Sequence, residues 1–426
     1  MLKYHLTIID ILLFFLVMLT VNFFDFIPFP TTWDSWNSNV NKYAILLISI
    51  SIWLISLFYT HQGDILNKKN KKSFDSSTIF LTLSLIVVCI FSAIFYSQSL
   101  FSTFENMYWY FVFPFLYFGL KDYLIEFGNL VKFDKIIVVT GVLLSVVYLL
   151  YSKGFINLHP NAIIDIQNLS SGKVEYGFSR FQAPADFVFF VSFYLSLTLT
   201  IEMRELNVKY FIQQILLIAN LFFVGQIRVY FVIAFMLFIV TLFFKIVGKF
   251  KQTKIIFIIF GFLAGCFLIL YLIKKLNFFG GGARQASSIV RSEEISYYLS
   301  HMFDHKLFGV GFPDITYNYY LIRGFSPTYL APVYYLEDVG VFGFLGVFGL
   351  LGIIYILLFL NNLVSHIRVS QDKIIMYIFI CAFLATCFTL IPLNNSRIEL
   401  MPFYLIIITI LSRSKKNEKY FISSEL

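Results

Sequence analysis

Charge is scarce along this chain: Asp, Glu, Lys and Arg make up 13% of its 426 residues, about half the share of a soluble domain. That shortage excludes an ordinary water-soluble core. Cysteine is nearly absent as well, with four residues, Cys89, Cys266, Cys381 and Cys387. None forms a CxxC, so neither a disulfide framework nor a thiolate zinc site is read from them. His159, His301 and His305 lack metal-ligand spacing. No Walker, GxSxG or HExxH motif occurs, which leaves phosphate-loop, serine-hydrolase and zincin chemistry without a sequence basis.

What the chain has instead is apolar length. Hydrophobic residues make up 59% and aromatic residues 20%, and the mean hydropathy is +0.81. Apolar runs of roughly 17 to 22 residues match the length needed to cross about 30 Å of hydrocarbon at 1.5 Å per residue. In lipid each backbone polar group must be satisfied within its own segment, so such runs form helices. The expected fold is all-α, a polytopic integral membrane protein with about twelve transmembrane helices in one transmembrane domain spanning 1–426. The runs lie at 6–24, 42–60, 78–96, 107–120, 136–152, 185–203, 210–226, 229–246, 255–273, 336–360, 374–391 and 398–411. The first run follows a single Lys and has no small-residue cleavage site, so it reads as a span rather than a removed leader.

Basic residues set the sides. With the N- and C-termini in the cytoplasm, 20 of the 32 basic residues fall in cytoplasmic segments, including Lys68, Lys69, Lys71, Lys72 and the set Lys245, Lys249, Lys251, Lys254. This obeys the positive-inside rule. The inner set is 17 Lys against three Arg, whereas the outer twelve include six Arg: Arg180, Arg228, Arg284, Arg291, Arg323 and Arg397. Lysine serves as a solvated topology charge, but arginine presents a planar fork suited to bidentate phosphate or carboxylate binding. The outer arginines therefore ask for an anionic ligand.

Soluble mass is concentrated in two long outer loops, 153–184 and 274–335, and loops of that length are usually functional or disordered. The first ends in an aromatic, Pro-containing stretch around Tyr176 and Arg180. In the second, Ala283 to Phe303 reads as an amphipathic helix with Ile289, Ile295, Tyr298, Leu299, Met302 and Phe303 as apolar contacts. Arg284 and Arg291 are seven residues apart and share a face. An Arg291–Glu294 pair on a surface helix is the plain alternative, worth only tenths of a kcal/mol. Arg228 is the polar break in an apolar stretch from Tyr210 to Phe244, where a charge is costly and often functional, or else a snorkelling turn residue. Asp338 and Asp186 stand where the loops re-enter the membrane. Either is a general base if burial raises its pKa, or a structural partner for an arginine.

Four patches carry a resemblance. GFSRFQAPADFVFFVSFYL, GQIRVYFVIAF, RSEEISYYLSHMFDHKLFGVGF and SPTYLAPVYYLEDVGVFGFLG occur in this order along nearly the whole chain. The organisation and these patches resemble the O-antigen polymerase and ligase superfamily of bacterial envelope glycosyltransferases, with a fold like that of GT-C membrane glycosyltransferases. The resemblance implies polymerisation of undecaprenyl-diphosphate-linked repeat units of O antigen or a related surface polysaccharide, on the periplasmic face of the inner membrane. It implies a metal-independent, inverting transfer with no cofactor, in which arginines hold the diphosphate. Arg228, Arg291 and Asp338 are the expected catalytic residues, and Arg180, Arg284, Arg323 and Tyr176 the expected substrate-binding ones. The partners implied are lipid-linked glycan donor and acceptor, membrane lipids and a chain-length regulator, with no nucleic acid. Ligases of the superfamily carry a histidine near the second-loop exit, where this chain has Thr328 and Tyr329, so polymerase is the better match. Ligase and lipid-linked oligosaccharide flippase are the alternatives, although a flippase keeps its charges in a central cavity and its loops short.

Overall fold

The computed structural model describes residues 2–23, 41–62, 73–125, 130–156, 174–175, 177–181, 183–201, 207–247, 283–390 and 397–413. These residues are mostly helical. The helices are α1 (Leu2–Thr20), α2 (Asn41–Gln62), α3 (Asp75–Phe95), α4 (Leu100–Met107), α5 (Val112–Ile125), α6 (Leu130–Ser152), α7 (Ala183–Ile201), α8 (Val208–Asn220), α9 (Arg228–Val247), α10 (Ala283–Ser300), α11 (Tyr319–Arg323), α12 (Val341–Val369), α13 (Lys373–Leu390) and α14 (Met401–Arg413). A two-residue antiparallel pair, β1 (Val174–Glu175) with β2 (Phe178–Ser179), lies between α6 and α7.

Seven helical segments among the described residues are long and apolar enough to cross a membrane: Asn41–Phe58, Asp75–Phe95, Leu130–Ser152, Pro184–Ile201, Val208–Gly225, Arg228–Lys245 and Val341–Val369. Ile8–Thr20 and Lys373–Phe388 are shorter apolar helices. The all-α, membrane-spanning class agrees with this. Three expected runs take a different form. The run at 107–120 is divided by a 3-10 turn, Tyr108–Phe111, between α4 and α5. The run at 336–360 begins with a 3-10 turn, Leu336–Asp338, and its helix continues to Val369. The run at 398–411 opens with a 3-10 turn before α14. The run at 255–273 lies outside the described residues.

The chain divides into two compact units, one of residues 1–64, 119–276 and 413–426, the other of residues 65–118 and 277–412. In the first unit α7 is the central helix. Its window Pro184–Ile201 is 89% buried, whereas α2 and α9 are each 28% buried and expose apolar faces suited to lipid. Apolar packing alone does not discriminate among helices in lipid, so small residues and polar stitches fix the register. Gly141 of α6 lies against Val191 of α7, so close that an added Cβ would come within 2.7 Å of its side chain. Gln214 of α8 donates to Ser192 Oγ at 2.7 Å and Ser196 Oγ at 2.9 Å. Thr200 of α7 bonds Thr241 of α9 at 3.0 Å.

In the second unit α12 is broken. Gly349 has φ 55° and ψ −128° inside the helix, a conformation closed to L side chains. A break frees backbone carbonyls, which in an apolar setting must find donors. The FGVGF segment supplies them. Gly309 N–H bonds the Val347 carbonyl at 3.1 Å, Val310 N–H the Gly346 carbonyl at 2.8 Å and Gly311 N–H the Val347 carbonyl at 3.2 Å. From the other side Tyr96 donates to the Val310 carbonyl at 2.8 Å, and Gln98 donates to the Phe312 carbonyl at 2.8 Å. Residues 308–313 are buried throughout. They form a fixed platform.

Candidate functional site

In the first unit the expected arginines gather at one turn. α8 ends in a π-turn, Leu221–Gly225, Gln226 adopts a left-handed φ of 49°, and α9 starts at Arg228. The stretch after β2 docks on this turn through Phe181 N–H to the Val224 carbonyl, 3.1 Å, and Gln226 to the Phe178 carbonyl, 3.3 Å. Arg180 Nε donates to the Gly225 carbonyl at 3.4 Å. Both Arg180 and Arg228 are half-buried. Asp186, one of two sequence candidates for a base, accepts the Tyr230 hydroxyl at 2.5 Å and so has a structural partner. Below Arg228, Phe231, Phe235 and Phe238 follow at helical spacing and line an apolar groove of about 280 Å³ with Phe222, Phe223 and Ile215. Tyr176 lies outside the described residues.

In the second unit the sequence candidates separate by environment. Arg291 is exposed on α10, and no ion pair joins it to Glu294 among the described residues. Arg284 lies in the first turn of α10, and its side chain is outside the description. Arg397 is half-buried ahead of α14. Arg323 ends α11, half-buried, with its guanidinium over the Tyr335 ring at 4.1 Å. Its fork has no protein acceptor among the described residues, and it lines a cavity of about 210 Å³ with Asn106, Tyr110, Tyr298, Phe312 and Leu336. Asp338 closes the 3-10 turn that follows Tyr335 and is half-buried.

The amphipathic helix is present, but its inward face differs from the expected one. Val290, Glu294 and Tyr298 are buried, whereas Ile289 is 44% and Phe303 55% exposed. The reason is what α10 packs on: Val290 and Tyr298 join Tyr334 and Val339 in one cluster, with Ile295, Leu336 and Phe342 against it. Residues at i, i+4 and i+8 share that face, and this stripe carries an acid at its centre.

Glu294 is thus the residue that sequence reasoning missed. It had weighed this side chain only as an ion-pair partner. Glu294 is 2% exposed. Its Oε1 accepts the Tyr335 N–H at 3.2 Å, and its Oε2 is buried with no hydrogen-bond partner. Burial pushes its pKa up to about 7; the Tyr335 N–H opposes the shift, Asp338 adds to it, Arg291 opposes it, and Glu293 adds to it. The neighbouring Glu293 is the opposite case. Hydrogen bonds from Ser326 at 2.6 Å and Thr328 at 2.5 Å hold its carboxyl below the usual range, with Tyr334 at 3.2 Å adding to this. Two adjacent carboxyls with pKa values driven apart are a recurring mark of acid–base sites.

A pH prediction follows from Glu294. Its unfolded carboxyl titrates near 4.5 and its folded one near 7. Between these values the folded state binds more protons than the unfolded state, so stability falls as pH rises through the window and the loss is complete above about 7. Glu294→Gln is therefore expected to melt above wild type at pH 8 and level with it near pH 4.5. An equal difference at both pH values contradicts the assignment.

Comparison of the chain with family models, with curated proteins and with solved structures finds no match.

Proposed function

We propose that the protein is a membrane glycosyltransferase that polymerises polyprenyl-diphosphate-linked oligosaccharide repeat units at the outer face of a bacterial inner membrane, as the resemblance to O-antigen polymerases implies. The observation that carries this reading is Arg323: a guanidinium lining a cavity, its face stacked on Tyr335 and its N–H groups without a protein acceptor among the described residues. Such an arginine is built for an anion that the protein itself does not supply. Arg228 and Arg180, at the mouth of a phenylalanine-lined groove, suit a lipid whose anionic headgroup meets the arginines and whose prenyl chain lies along the rings.

In the proposed step the acceptor sugar hydroxyl attacks the anomeric carbon of the donor's first sugar. The new glycosidic bond forms as the carbon–oxygen bond to the diphosphate breaks, with inversion, and polyprenyl diphosphate leaves. Arginines held in place stabilise the charge that grows on the leaving oxygen. The hydroxyl proton passes to a carboxylate. Asp338 is the candidate from sequence, and Glu294, with a pKa near the working pH, is the better matched base.

One observation favours a transporter, since broken helices often line substrate paths. The carbonyls freed at the α12 break are already taken by the FGVGF segment, which weighs against that use. The test is the surface-glycan profile of a deletion strain. Loss of long chains with single repeats retained is the expected result. No attached repeat with lipid-linked polymer accumulating instead indicates the ligase, and loss of translocation the flippase.

A further inference from the structure

The cavity beside Arg323 has the composition of a carbohydrate site. Its volume is about 210 Å³, below the roughly 300–1,000 Å³ of pockets for drug-sized ligands, so it has room for one sugar ring and not for a chain. Aromatic surface comes from Tyr110, whose ring is braced by Phe312 and Phe348 at 5.7 Å each, and from Tyr298, whose hydroxyl is tied to the Ile322 carbonyl at 2.8 Å. Asn106 donates both its bonds inward, to the carbonyls of Ser102 at 3.1 Å and Pro313 at 3.3 Å. Its Oδ1 accepts nothing from the described residues and is left for a ligand hydroxyl. The Arg323 fork, with one face covered by Tyr335, keeps its in-plane N–H groups for a negative oxygen.

We infer that this cavity is a subsite for a single pyranose ring bearing an anionic oxygen substituent, either a glycosyl phosphate or a uronate. The inference rests on the polymerase reading only for the source of the sugar; the binding chemistry stands on the cavity. The full chain, purified in detergent, is titrated with glucose 1-phosphate, glucuronic acid, glucose and inorganic phosphate, and binding is read by saturation-transfer NMR. At least one anionic sugar is expected to bind about tenfold or more tighter than glucose, and the tighter of the two identifies the source. Arg323→Gln is expected to reduce that preference to less than twofold. Ile315→Trp, on a cavity-lining residue that is 43% exposed, is expected to abolish sugar binding with the helical circular dichroism unchanged. Equal binding of glucose and the anionic sugars, phosphate alone binding as well as the sugar phosphate, or an unaltered preference in Arg323→Gln overturns the subsite. A deletion strain that keeps its long chains ends the polymerase reading and leaves the binding result standing. Chains lost on deletion with no sugar bound ends the subsite alone.

Discussion

Arg323→Ala is expected to lower polymerisation by about 10²- to 10³-fold, the loss seen when one fixed donor to a developing oxyanion is removed, while the protein still folds. Both halves of the result come from the same contact pattern. The guanidinium makes no hydrogen bond or ion pair within the described residues, so its removal leaves no protein acceptor unsatisfied. What the fold loses is the contact over Tyr335 at 4.1 Å, worth about 0.5–1 kcal/mol at a partly exposed site. Arg323→Lys keeps the charge and loses the fork, so an intermediate activity is expected. Chain-length profiles of complemented deletion cells, with membrane levels measured in parallel, check both halves. Long chains at wild-type yield in Arg323→Ala remove this residue from the site.

The largest effect on folding is expected at Gly309. A Cβ there would come within 1.9 Å of the Gly346 carbonyl oxygen and 2.8 Å of its carbon, which are backbone atoms that cannot swing aside. Gly309→Ala must therefore push the FGVGF segment off α12. That movement also breaks the bonds to the Gly346 and Val347 carbonyls, and each buried carbonyl left unpaired costs about 1–3 kcal/mol. The sum approaches the total stability of an ordinary domain, about 5–15 kcal/mol. Little folded protein is expected on size-exclusion chromatography of a fluorescent fusion. Gly352→Ala is the control, because an added Cβ there meets only side chains, none nearer than 3.0 Å. A monodisperse Gly309→Ala peak equal to the control contradicts the platform role.

Much of the helical frame was legible because lipid makes it so. The runs that became α3 and α6 are continuous stretches of 21 and 23 residues with little charge, and hydropathy alone marks them. The Gly225–Gln226 turn before Arg228 was legible for the same reason, as the one polar interruption between two spans. The break at Gly349 was not. Gly343, Gly346, Gly349 and Gly352 all lie in one apolar run, and only the contact with the FGVGF segment decides which of them breaks the helix. Glu294 was hidden differently. Its neighbour Glu293 has the same side chain, and Arg291 three residues earlier offers an obvious surface partner. The facing surface, Tyr334 to Val339, determines which acid turns inward. The period from Val290 through Glu294 to Tyr298 was the available signal. Asn106 and Tyr110 carried no signal at all, because they lie some 200 residues from Phe312 and only the fold brings them to the same cavity.

The most direct test of the central claim is reconstitution. The purified chain is placed in liposomes with polyprenyl-diphosphate-linked repeat units from the producing cell, in the presence of EDTA, and the products are resolved by gel. The account predicts a ladder at whole multiples of the repeat, with free polyprenyl diphosphate released in step with each bond formed. No ladder from intact substrate, or a ladder that appears only when a divalent metal is restored, contradicts it.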